Sequence, residues 1–141
     1  MKKITLNLGL NNCPSADESI NIARYINLLL EGASFGFFNI SNVELHGGTY
    51  LGQTEPTLVV DILCNNTPEL KYLEKIATTM NQDCIAVAVY ERDNLGGWVY
   101  QYGALKYNQD RHVEKMQFDL KYFIANRTTM AKFEEEIVLT A

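Results

Sequence analysis

The chain has 141 residues, 47% of them apolar and 21% charged, which is the size and make-up of one ordinary globular domain. Twelve basic residues against 17 acidic ones leave a net charge of −5. That excludes a protein that holds nucleic acid over an extended surface, because such binding needs clustered Lys and Arg to replace phosphate counterions; a local basic pocket stays open.

Ile4, Leu6, Leu8 and Leu10 alternate with Thr5, Asn7 and Gly9. This is the period of a strand, and it argues against a signal peptide behind Lys2 and Lys3. Ser15 and Glu18 form a capping box after Pro14, so a helix is expected over 15–31, with Gly32 as a left-handed stop. A strand is expected near 37–47, with a bulge or a change of face, before Gly47-Gly48 interrupts the pattern. Thr57–Cys64 is β-branched and apolar with one charge, Asp61, and Pro56 is expected at its edge. Thr67-Pro68-Glu69 reads as a helix start, with the helix over 68–80. Cys84–Tyr90 is apolar throughout, as in a central strand, and Trp98–Tyr102 returns after a turn.

The order strand, helix, strand, strand, helix, strand predicts an α+β fold with a ferredoxin-like split βαβ core. Two helices then cover one face of an antiparallel sheet and leave the other open for a subunit, a ligand or the C-terminal segment. The core is expected over 1–103. An extension over 104–141 follows, with a strand near 116–122 and a helix from about 128, packed on the core or on a neighbouring subunit.

Glu44 and His46 share one strand face, as an acid–base pair would, but no second His/Cys cluster accompanies them and no metal site or cofactor is expected. Glu55 and Asp61 are the carboxylates that such a pair can recruit. No GxGxxG, Walker loop or GxSxG elbow occurs. Trp98, Tyr100 and Tyr102 alternate beside Arg92, a stripe suited to packing under the tail, to a subunit interface, or to a planar ligand with a phosphate. Whether Arg92, Arg111 and Arg127 converge is not readable from sequence. Three cysteines, Cys13, Cys64 and Cys84, with no CxxC pair fit a reducing cytoplasm, and no stretch approaches the ~18 apolar residues of a membrane helix.

Ile4–Leu10, Thr54-Glu55-Pro56-Thr57-Leu58-Val59-Val60 and Gln82-Asp83-Cys84-Ile85-Ala86-Val87 resemble segments of small phage and prophage proteins, as does Phe118–Ile124 more loosely. The region 104–116 and the tail depart from that pattern. The resemblance implies a viral accessory protein in the cytoplasm of an infected or lysogenic host, and it carries over no site residues. With no catalytic constellation in view, the main expectation is a non-enzymatic, homo-oligomeric binding protein. It would inhibit a host defence protein or sequester a small nucleotide-like signal, through Arg92, Trp98, Tyr100, Tyr102, His46 and Glu44. The alternatives are a small enzyme acting on a nucleotide or similar metabolite through Glu44 and His46, and a virion structural component.

Overall fold

A computed structural model describes residues 1–50 and 53–111 of the chain, without the side chains of 48–50. The elements are β1 (Lys2–Gly9), α1 (Glu18–Glu31), β2 (Ile40–Tyr50), β3 (Gln53–Cys64), α2 (Tyr72–Thr79), β4 (Cys84–Arg92) and β5 (Trp98–Tyr107). They form an α+β fold with one antiparallel sheet in the order β2-β3-β1-β4-β5. The alternation in β1 sends Ile4, Leu6 and Leu8 to one face, where they meet Leu58, Val60 and Ile62 of β3 and Ile85, Val87 and Val89 of β4. Tyr25 and Leu29 of α1 and Leu73, Ile76 and Ala77 of α2 close this core. The Tyr72 hydroxyl donates to the Leu28 carbonyl at 2.8 Å and ties the two helices together.

Both helix starts differ from expectation. The carboxylate of Asp17 accepts from the Ser19 N–H and caps α1, while Ser15 Oγ is taken by the Asp17 N–H. Thr67-Pro68-Glu69 does not open α2. Its Glu69 N–H bonds the Phe35 carbonyl instead, docking the loop on the 3-10 turn Gly32–Phe35, and α2 begins later without a side-chain cap. Gly32 has φ −81°, so it is no left-handed stop. A Cβ there would strike the Tyr72 ring, and close approach is its reason for being glycine. The left-handed residue is Gly36, at φ +96°.

β2 starts later than expected and runs through Gly47-Gly48. Its bulge lies at Ser41, between Ile40 and Asn42. Pro56 is inside β3, opposite Gly47, in a strand flanked on both sides, and its carbonyl accepts from Leu10. β5 continues to Tyr107, past the expected boundary at 103. On the second face of the sheet Thr5, Val59, Ala88 and Tyr90 are buried, while Glu44 and His46 are exposed. The expected strand at 116–122, the terminal helix and Arg127 lie outside the described residues.

Candidate functional site

The aromatic stripe does not survive the register of β4 and β5. Tyr102 pairs with Val89, but Tyr100 pairs with Tyr90, so Gln101 is an extra residue that turns the strand over. Tyr102 therefore packs against the helix-side core. Trp98 and Tyr100 lie on the second face, and Tyr100 meets Tyr90 edge-on with ring centroids 5.8 Å apart. Arg92 stays with Trp98, its guanidinium 5.3 Å from the indole centroid. His46 and Glu44 are also on the second face, opposite Thr57 and Val59. They are exposed and 3.2 Å apart, on the outermost strand. Asp61 accepts from the Thr5 hydroxyl at 2.7 Å across the β1–β3 ladder, a structural role.

A cavity opens at the other end of that face, where β1 ends and β3 and β4 begin. Its enclosed volume is about 80 Å³, and Asn7, Gly9, Glu55, Thr57, Gln82 and Arg111 are among its lining residues. The β period places them. Asn7 and Gly9 fall on the face opposite Leu6 and Leu8, Thr57 is paired with Gly9, and Ala86 with Asn7. Gly9 permits the crowding, because a Cβ on it would overlap Glu55 Oε1 and come within 2.7 Å of Gln82 Oε1.

Three side chains pin the loop after β1. Glu55 accepts from the Asn11 N–H at 3.3 Å. Gln82 donates to the carbonyls of Asn11, at 2.7 Å, and Met80, at 2.8 Å. Asn81 donates to the Asn12 carbonyl at 2.9 Å, and both of these asparagines have left-handed backbones. On the rim, Arg111 Nε meets Asp83 at 3.0 Å and an Nη donates to the Asn81 carbonyl at 3.1 Å. Arg111 and Arg92 thus stand at opposite ends of the sheet.

Two features mark this cavity as chemically unfinished. Glu55 is 7% exposed, and burial pushes its pKa above the ordinary carboxylate value, with the Asp83 charge adding to the shift and the Asn11 N–H opposing it. Asn7 is 8% exposed, and its side-chain Nδ2 is buried without a hydrogen-bond partner among the described residues. The sequence presents Glu55 as a carboxylate that the Glu44/His46 pair can recruit, whereas nothing in it marks Asn7 or Gln82. Asn7 reads there as the solvent-facing half of an alternating strand. The one available signal is that the three segments of closer phage resemblance, Ile4–Leu10, Thr54–Val60 and Gln82–Val87, each contribute residues to this cavity. Among the described residues, no three His, Cys, Asp or Glu side chains gather as metal ligands would, and no helix is long and apolar enough to cross a membrane.

No protein-family model matches the chain, and no curated protein does. Among solved structures, a phage SAM lyase in its apo state matches with a TM-score of 0.53 at 13% identity, covering 77% of this chain and 90% of that one. A phage SAM lyase in complex with S-methyl-5'-thioadenosine matches with a TM-score of 0.48 at 14% identity, covering 75% and 88%. At such identities the likeness is one of fold. The expectation of a non-enzymatic inhibitor or sequestering protein is corrected by it: a phage enzyme is built on this fold, which favours the enzyme alternative.

Proposed function

We propose that the protein is a small phage-type enzyme that cleaves an adenosyl sulfonium of the SAM class, with Glu55 at the reacting centre. The observation that carries this reading is the buried Glu55 carboxylate, which faces a cavity and has no cation against it among the described residues. A sulfonium is a permanent cation with no proton to donate, so a site for it must offer charge rather than a hydrogen-bond acceptor alone. The fold shared with a phage SAM lyase supports the substrate class.

A lyase reaction on a sulfonium breaks one carbon–sulfur bond without water. The bonding pair goes to sulfur, which leaves as a neutral thioether. The other fragment gives up a proton or closes on a nucleophile of its own. A carboxylate with a raised pKa suits either course, as the base that receives the proton or as the charge that orients the cation. Asn7 offers its free N–H to an acceptor on the substrate. The enclosed space of about 80 Å³ holds a small polar head and not a whole nucleoside, so the nucleoside rests on the rim near Asn12, Asn81 and Arg111. Glu44 and His46, one strand outward, flank the centre in this reading.

We also read β1–β4 as a ferredoxin-like split βαβ core with β5 added at one edge. In support, β3 lies between β1 and β2, and β1 between β3 and β4. Three cysteines outside any disulfide support work in a reducing cytoplasm.

The test is to incubate the purified chain with SAM and follow the nucleoside thioether by mass spectrometry. Turnover is expected, and Glu55→Gln should lower it by about a hundredfold or more with the fold retained. Folded protein that yields no thioether would overturn the reading. Loss in His46→Ala with Glu55→Gln unaffected would move the centre to β2.

A further inference from the structure

We propose a second ligand site at the opposite end of the same sheet face, in which Lys3, Arg92 and Trp98 bind a phosphate chain. The register sets it up: Lys3 pairs with Tyr90, and Arg92 with Trp98, all on the second face. Lys3 Nζ lies 4.6 Å from the Tyr90 ring centroid and 5.4 Å from that of Trp98, and the Arg92 guanidinium lies 5.3 Å from the same indole. Two cations are thus held against one ring. Contact with a ring holds a cation in place through the ring's quadrupole, but it does not cancel the charge. Of the neighbouring acids, Glu91 pairs with Lys2 at 2.7 Å, and Asp93 keeps its charge but turns Oδ1 into the β4–β5 turn, where it accepts from the N–H groups of Leu95 and Gly97. Among the described residues neither Lys3 nor Arg92 has a carboxylate partner.

In a chain of net charge −5, this is a local excess of positive charge on a rigid floor. The floor is the buried Tyr90 and Tyr100, packed edge to face. A single carboxylate sets its two oxygens side by side and suits one guanidinium. A diphosphate spreads its oxygens over two linked groups and can meet a lysine and an arginine held by the same ring. Because cations lie against the indole, the anion is the recognised part of the ligand, and a stacked base is not required.

The site is independent of the reaction proposed above, and so is its test. Trp98 is the sole tryptophan, so its fluorescence reports this place directly. Inorganic pyrophosphate, titrated into the full chain and followed by fluorescence and calorimetry, should bind saturably with a midpoint below about 1 mM at low salt. Lys3→Ala and Arg92→Ala should each weaken it by about tenfold, the double variant should abolish it, and adenosine should give no response. Calorimetry without saturable heat, a double variant that binds as wild type, or loss in Arg111→Ala alone would each overturn the proposal.

Discussion

Along the second face of the sheet, charge of each sign collects at a different end. At the cavity, Glu55 is a buried carboxylate with no cation against it; at the far end, Lys3 and Arg92 are cations with no carboxylate, among the described residues. Joining an acid to a base is how the chain neutralises charge elsewhere, in Lys2–Glu91 and in Arg111–Asp83. The ladder keeps these two ends apart. Asn7 at the cavity and Lys3 at the cluster are four positions apart on β1, about 13 Å of strand, too far for a side-chain ion pair. A buried carboxylate without a cation partner is costly, as Glu55 is, whereas water meets the charge of exposed Arg92 and leaves it open to an incoming anion. One end is therefore complementary to a cation and the other to an anion. That difference is the physical basis for assigning a sulfonium to the first and a phosphate chain to the second.

The largest expected effect breaks the cavity end alone. Gly9→Ala puts a methyl where Glu55 Oε1 lies and within 2.7 Å of Gln82 Oε1. Both obstructing atoms are the ends of flexible side chains, so they can swing away at a stability cost of about 1 kcal/mol. The constellation they form cannot survive the movement, and SAM turnover should fall by about a hundredfold. The check is turnover and thermal melting measured on the same preparation. Melting and turnover lost together would mean that Gly9 serves the fold rather than the site.

Next is the pH dependence of stability. Burial raises the Glu55 pKa above its ordinary value of 4.5, so the folded state holds this proton more tightly than the unfolded chain does. Its favourable contribution is fully present below pH 4.5 and is lost as pH rises through the folded pKa. Glu55→Gln has no such loss. Relative to wild type, the variant should gain stability as pH rises above 4.5, read as a melting difference that opens with rising pH. Parallel curves would show that Glu55 is ordinary and would weaken the contrast between the two ends.

The contrast was half legible in the sequence. Period-two runs such as Ile4-Leu6-Leu8 identify a strand's buried face, and the two helices followed from their apolar stripes. Their starts did not. Ser15 and Asp17 both carry oxygens fit to cap, and Thr67-Pro68 fits a docking loop as well as a helix, so tertiary contact with Phe35 decided it. The bulge at Gln101 carries no glycine or proline to announce it, yet it separates Tyr102 from Trp98 and divides the expected stripe. Asn7 was hidden for a different reason. A polar residue on the non-core face of a strand ordinarily meets water, whereas here Asn7 is buried and lines one cavity with Glu55, Thr57 and Gln82. Nothing local in the sequence marks Lys3, because its rings come from β4 and β5, about ninety residues away.

A smaller effect is expected at Asn7 itself. A buried amide donor without a partner costs stability, by about 1 kcal/mol or more. Asn7→Leu keeps the branching at Cγ, with bulkier methyl groups in place of the amide, and removes the donor, so stability in urea should hold or rise by about 1 kcal/mol. The apparent KM for SAM should rise by about tenfold, because the substrate loses the group that meets it. Unchanged KM would take Asn7 out of the site.

The smallest effect sharpens the far end. Lys3→Ala removes two ring contacts worth about 0.5–1 kcal/mol each at an exposed site, and it also removes the repulsion between Lys3 and Arg92. The two changes oppose each other, so the net loss of stability should be under about 1 kcal/mol at low salt. Salt screens the repulsion more than the close ring contacts, so the loss should grow as salt is added. Urea unfolding at two ionic strengths measures both quantities. A variant more stable than wild type at low salt would mean that repulsion between the cations outweighs the ring contacts, and pyrophosphate should then raise the melting temperature of wild type by more than that of the variant. A loss that does not respond to salt would mean that Lys3 acts as a packing side chain over Tyr90, its charge immaterial, and the distinction between a cation-seeking and an anion-seeking end would rest on Glu55 alone.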